Sequence, residues 1–112
     1  MTALLAALIA VESGGRDMAI GDAGQAIGPL QIHRAVVDDV NARYGTHFRW
    51  QGMTNRADAV FVADRYLRMY ATPSRLGRSV TDEDRARIWN GGPDGWRRKA
   101  TERYWQRVKG KL

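Results

Sequence analysis

The sequence has no cysteine. Disulfides and thiolate metal sites are therefore excluded, and packing alone must hold the fold. Histidine is scarce too: His33 and His47 are the only two, at a spacing that suggests no metal site. No cofactor is expected. There are no repeats, no low-complexity tract and no linker, so residues 1–112 are expected to form a single domain with one core. Long apolar runs are missing apart from Met1–Val11. That run is too short to span a bilayer, so no membrane insertion is expected. It also lacks the leading basic residues and small-x-small cleavage site of an export signal. It is predicted to be a buried helix.

Acidic charge is in short supply. Against 18 Lys and Arg there are 12 Asp and Glu, giving a net charge of +6. The imbalance is local. Residues 1–55 are net −1 and residues 56–112 are net +7. A basic half of this kind suits an anionic partner, and charge does not choose between cell wall, nucleic acid and acidic membrane.

The local pattern is mainly helical. Residues 2–13 are rich in Ala and Leu, and Gly14-Gly15 should end that helix. Residues 16–32 carry Gly21, Gly24, Gly28 and Pro29, which predicts a small hairpin-like turn region. A second helix runs from His33 to the stop at Gly45, followed by a loop to Thr54. Asn55 reads as the cap of a third helix burying Ala59, Val60, Ala63, Leu67 and Tyr70. Residues 74–80 read as a loop. Thr81 and Asp84 form an approximate capping box for a helix that breaks at Asn90-Gly91-Gly92-Pro93. The last helix covers 99–109. The expected class is mainly α, of α+β lysozyme-like type, with about five helices around a central buried helix and a hairpin-like turn region at 16–32.

Two acids stand out. Glu12 is the only charge in the first 15 residues, at the end of an apolar helix. Desolvation there would raise its pKa and keep a proton available for a leaving oxygen. The plainer reading is a helix-end carboxylate that pairs with Arg16. Asp22 precedes Ala23-Gly24 in a glycine-dense loop, where Asp is common for backbone reasons alone. Paired carboxyl groups are what glycosidic bond cleavage uses.

Four segments carry a resemblance. Glu12-Ser13-Gly14, Gly28-Pro29-Leu30-Gln31-Ile32, Ala86 to Gly95 (ARIWNGGPDG) and Thr101 to Val108 (TERYWQRV) are similar in order and spacing to motifs of the lysozyme superfamily. The last two resemble invertebrate-type lysozymes almost position for position. Gly21-Asp22-x-Gly24 resembles a goose-type lysozyme segment, and the Glu-Ser opening is shared with lytic transglycosylases. Two features differ. Gly15, Ile27 and Trp96 stand where the invertebrate-type proteins have cysteines, and Trp89 stands where transglycosylases usually have Tyr.

The resemblance implies a peptidoglycan muramidase (a glycoside hydrolase) that cuts the β-1,4 bond between N-acetylmuramic acid and N-acetylglucosamine. Glu12 would be the general acid and Asp22 the second carboxylate. Ser13, Gln31, Ile32, Trp89, Asn90, Gly91 and Tyr104 would contact substrate, with Gln31 and Ile32 on the cleft floor and Asn90 and Tyr104 on the far wall. One alternative is a lytic transglycosylase that uses Glu12 alone and leaves 1,6-anhydromuramoyl ends. Another is a non-catalytic basic module that binds the wall. The partner implied is peptidoglycan glycan strands rather than nucleic acid. The protein would be a monomer acting in the cell wall, the periplasm or outside the cell.

For Trp50, Trp96 and Trp105, stacking on sugar and packing as core or cleft wall stand as even alternatives. His33 is expected to be an ordinary surface or core histidine. Arg97-Arg98-Lys99 is expected to be a solvated face before it is a binding patch.

Overall fold

Small and aliphatic residues dominate the first twelve positions of α1 (Thr2–Ser13), and Leu4, Leu5, Ala7, Leu8 and Ile9 are buried as expected. The helix stops where Gly14 and Gly15 both turn left-handed, at φ 63° and 87°. The computed structural model describes all residues, 1–112. The chain is mainly helical, with six α-helices and one two-stranded antiparallel sheet. The mainly α class with a small β region is as expected. The extra helix is the short α4 (Pro73–Leu76).

The residues divide into two compact units, Met1–Val11 with Leu67–Leu112, and Glu12–Tyr66. Both α1 and α3 (Arg56–Tyr70) contribute to each.

In the first unit, α4 arises from a Thr-Pro start that the loop expectation for 74–80 overlooked. The Thr72 hydroxyl accepts the Arg75 N–H at 3.2 Å and Pro73 takes the first helical position. Gly77 closes the turn in the left-handed region, with φ 76°. The capping box of α5 (Asp82–Gly91) forms in full. Thr81 Oγ1 accepts the Asp84 N–H at 3.2 Å, and Asp84 Oδ2 accepts the Thr81 N–H at 2.9 Å. Arg78 closes on the same carboxylate through Nη1 at 2.6 Å and Nη2 at 2.8 Å. Beyond α5, the chain turns tightly under Thr101. Its buried hydroxyl lies 2.7 Å from the Gly95 carbonyl and accepts Arg87 Nε at 2.8 Å. A Cβ at Gly95 would run into the Arg87 carbonyl, and one at Gly91 into the Thr101 methyl. The last helix, α6 (Glu102–Lys109), packs on α5 and buries Tyr104 and Val108. The chain enters it through a separate tight turn at 99–101, so the α-helix starts three residues later than expected.

In the second unit, α2 (Arg34–Tyr44) ends at Gly45, φ 66°. Asn41 then ties down the loop beyond. Its Oδ1 accepts the Phe48 N–H at 3.0 Å and its Nδ2 donates to the Phe48 carbonyl at 2.8 Å. A tight 3-10 turn at Trp50–Thr54 leads to α3, whose cap is Asn55 as expected, accepting the Asp58 N–H at 3.0 Å. The buried stripe of α3 is Ala59, Val62, Ala63, Tyr66 and Leu67. Spacing of three, then one, then three, then one is the α-helical i, i+3, i+4, i+7, i+8 repeat. The expected face, with Val60 and Tyr70, is rotated from it, and both residues are only half-buried.

Candidate functional site

The turn region at 16–32 is a real but minimal hairpin. β1 (Ile20–Gly21) pairs antiparallel with β2 (Ala26–Ile27), and Ile27 also bridges to Ile32. Between and beyond these strands the backbone is forced left-handed at Asp22 (φ 50°), Ala23 (φ 53°) and Gln31 (φ 52°). They are the only non-glycine residues in that region of φ. Each such residue costs about 1–2 kcal/mol, and strain confined to one segment marks a candidate functional site.

The strain persists because the surroundings fix it. Gln31 Nε2 donates to the carbonyls of Ala19 at 3.1 Å and Gly28 at 3.0 Å. The Gly28 N–H donates to the Ala19 carbonyl at 2.9 Å. Trp50 Nε1 donates to the Ile32 carbonyl at 2.8 Å, and the Arg34 guanidinium lies 4.0 Å over the Trp50 ring. Gln31→Ala keeps the left-handed backbone but removes both amide bonds. We expect it to cost about 1–3 kcal/mol, read as a lower midpoint in urea unfolding.

The outer side of this hairpin is open to solvent. Asp22 Oδ2 lies 3.1 Å from His33 Nε2, with side chains 66% and 48% exposed. An exposed pair of that kind stabilises by at most about 1 kcal/mol. Met18 and Ile20, each 73% exposed, are the most exposed large apolar side chains in the protein. Arg56 reaches back to this segment, bonding Asp17 at 2.7 Å and the Gly15 carbonyl.

The expected site residues fall as follows. Glu12 is half-buried in the last turn of α1, followed by the buried Ser13, whose hydroxyl accepts the Gly15 N–H at 3.1 Å. Arg16 donates through Nε to the Ser13 carbonyl at 3.0 Å. Gln31 is half-buried, with its NH2 group engaged inside the hairpin. Ile32 is fully buried, its N–H bonded to Ile27 and its carbonyl to Trp50, so its side chain lines no open surface. Asp22 is exposed. The structure thus gathers Glu12, Ser13, Asp22, Gln31 and Ile32 into the second unit. Trp89, Asn90, Gly91 and Tyr104 belong to the first, on the packed pair α5 and α6. There Asn90 is exposed, Trp89 and Gly91 are half-buried and Tyr104 is buried.

Met18 and Ile20 carry no motif; two large apolar residues beside a glycine-rich turn are the signal that marks them. Trp50 proves to be the indole peg of the hairpin. No group of three or more His, Cys, Asp or Glu is placed to hold a metal ion, and no helix is long and apolar enough to cross a membrane.

No protein family and no curated protein matches the chain. A solved structure does. The chain is similar to one in the crystal structure of Aeromonas hydrophila PliI in complex with Meretrix lusoria lysozyme. Identity is 28% and the TM-score 0.81, over 98% of this chain and 88% of the other. That assembly joins a lysozyme to an inhibitor protein. On this finding the expectation of a muramidase, with its hydrolase and transglycosylase chemistry at Glu12 and Asp22, is corrected. What the match documents is recognition between two proteins, not turnover of a glycan. Peptidoglycan strands as the partner find no support in this match; the partner in that assembly is itself a protein.

Proposed function

We propose that residues 1–112 act as one protein-binding domain, a component of a lysozyme–inhibitor type of pair that meets in the periplasm or outside the cell. The observation that carries this reading is the match, along nearly the whole chain, to a member of such a complex. The complex holds both a lysozyme and its inhibitor, and the sequence resemblance to invertebrate-type lysozymes concerns the same pair. The hairpin supplies the physical means. It presents Met18 and Ile20 to solvent on a backbone already fixed by Gln31 and Trp50. Little conformational freedom is then lost on binding, which favours affinity.

The test is binding of the purified chain, by calorimetry, to PliI and to Meretrix lysozyme in separate titrations. A saturable complex with either protein is expected. The double variant Met18→Ser/Ile20→Ser should weaken it about tenfold or more while the melting temperature stays put, since both side chains are exposed. Absence of binding to both proteins overturns the proposal. So does Glu12-dependent release of glycan fragments when the chain alone is incubated with peptidoglycan, which would make catalysis its work.

A further inference from the structure

The C-terminal end of α3 opens onto a cleft of about 350 Å3 whose lining belongs wholly to the first unit. Its apolar lining is Leu67 on α3, Ala71 just beyond it, Pro73 at the start of α4 and Met1 ahead of α1. Its polar lining is Thr72 and two arginines, Arg68 on α3 and Arg85 on α5. No Asp or Glu lines it. Backbone bonds fix the lining in place. The Ala71 N–H donates to the Leu67 carbonyl at 2.8 Å, the Leu5 N–H to the Met1 carbonyl at 2.9 Å and the Leu76 N–H to the Thr72 carbonyl at 3.0 Å. The cleft is therefore formed before any ligand arrives, as small-molecule sites usually are.

The polar groups differ in what they have left to offer. The Thr72 hydroxyl is turned to α4, where it accepts the Arg75 N–H at 3.2 Å, and Pro73 has no N–H. Recognition of charge at this cleft falls to the arginines. Asp82 Oδ1 accepts Nη1 of Arg85 at 3.0 Å. A guanidinium carries several N–H donors in a fixed fork, so this pair anchors Arg85 and leaves it donors for a second acceptor.

We propose that this cleft binds a small monocarboxylate with an aliphatic body, of the medium-chain fatty acid type. The volume falls in the range of roughly 300–1,000 Å3 found for small-molecule sites, which suits a compact ligand. Two guanidinium groups and no acid in the lining select an anion, and the arginine fork matches the two oxygens of a carboxylate. Four apolar residues select against a bare inorganic ion, whose hydration they do not replace. An acid with an aliphatic tail satisfies both parts of the lining. The site lies in the first unit, whereas the hairpin proposed to meet a protein lies in the second.

The experiment titrates the whole isotope-labelled chain with hexanoate and follows its backbone amide spectrum. Saturating shifts are expected at residues 67–72 and at Arg85, with a Kd on the order of 1 mM for a ligand of so few atoms. Acetate keeps the carboxylate and loses the tail, while hexanamide keeps the tail and loses the charge. Each should bind about tenfold more weakly or worse. Arg68→Gln/Arg85→Gln should weaken hexanoate about tenfold or more. Ala71→Phe, which fills the cleft and keeps both arginines, should abolish the saturating shifts; if it does not fold, the arginine double variant decides alone. Arg43→Gln/Arg49→Gln removes equal charge from the second unit and should leave the affinity unchanged. Shifts centred outside the cleft, no saturation, equal binding of acetate or hexanamide, or undiminished binding by the arginine double variant each overturn the proposal. No second protein is present, so none of these outcomes bears on the lysozyme–inhibitor reading.

Discussion

Gly28→Ala is expected to lose about 2–5 kcal/mol of folding stability, combining a left-handed alanine at about 1–2 with overpacking at about 1–3. Gly28 is buried with φ 83°, and an added Cβ would meet the Met53 carbonyl and then Thr54 N, backbone atoms that no rotamer change can move aside. Gly24 is the internal comparison. Its φ of 88° is just as far into the left-handed region, yet nothing lies within 4 Å of its Cβ position. Gly24→Ala should therefore cost only the backbone part, about 1–2 kcal/mol. Urea unfolding of the two variants isolates the close approach of the hairpin to the Trp50–Thr54 turn. Equal losses would mean that the turn yields and the approach is not fixed.

Asp84→Ala should cost about 2–3 kcal/mol, the sum of a lost helix cap and of a buried hydrogen-bond network left without its acceptor. At a size near 100 residues this lowers the melting temperature by roughly 10 °C. The carboxylate is 4% exposed and takes two bonds from Arg78 and two from Thr81. Its pKa lies below the ordinary carboxylate value chiefly because of the Arg78 hydrogen bond, against the opposing effect of burial, with the Thr81 N–H and hydroxyl adding to it. The sign of the pH dependence follows. A carboxyl group whose folded pKa is depressed contributes stability that is complete above its unfolded value of about 3.9. That contribution fades as pH falls through the folded value. The stability gap between wild type and Asp84→Asn should thus hold steady from neutral pH to about pH 5, then close on acidification. A gap that widens in acid would contradict the assignment. Arg78→Ala should destabilise in the same direction, measured by the same melts.

Those two sites differ in how far the sequence announced them. The capping box at Thr81 and Asp84 is a local pattern, and local patterns were legible: the caps at Asn55 and Thr81, the glycine stops at Gly14 and Gly45, the hairpin at 16–32. The Arg78 clamp was not, because a turn has to bring residue 78 back to residue 84. The third helix shows the limit of periodicity. Val60 and Tyr70 are apolar and helically spaced, but the stripe of 59, 62, 63, 66 and 67 is what is buried, and tertiary packing decides between two overlapping faces. At the site, Glu12, Ser13, Asp22, Gln31 and Ile32 all fall in the second unit. Their roles were harder to read. Ile32 turned out to be core, and Gln31's amide group is engaged inside the hairpin. Such outcomes depend on which carbonyls lie in reach, and Ala19 and Gly28 come within reach only once the hairpin closes. Function was the least legible, because four short motifs in register carry a resemblance without fixing what the chain meets.

The hydrogen bond from Trp50 to Ile32 has a practical consequence. Of the four tryptophans, Trp89, Trp96 and Trp105 belong to the first unit, and Trp50 alone belongs to the second. Its indole emission is coupled to the carbonyl at the hairpin's base and to the guanidinium above it. Subtracting the spectrum of Trp50→Phe from that of the wild type leaves an optical signal from the second unit alone. Recorded under native conditions, that difference reports on the base of the strained hairpin apart from α5 and α6, with no dye attached.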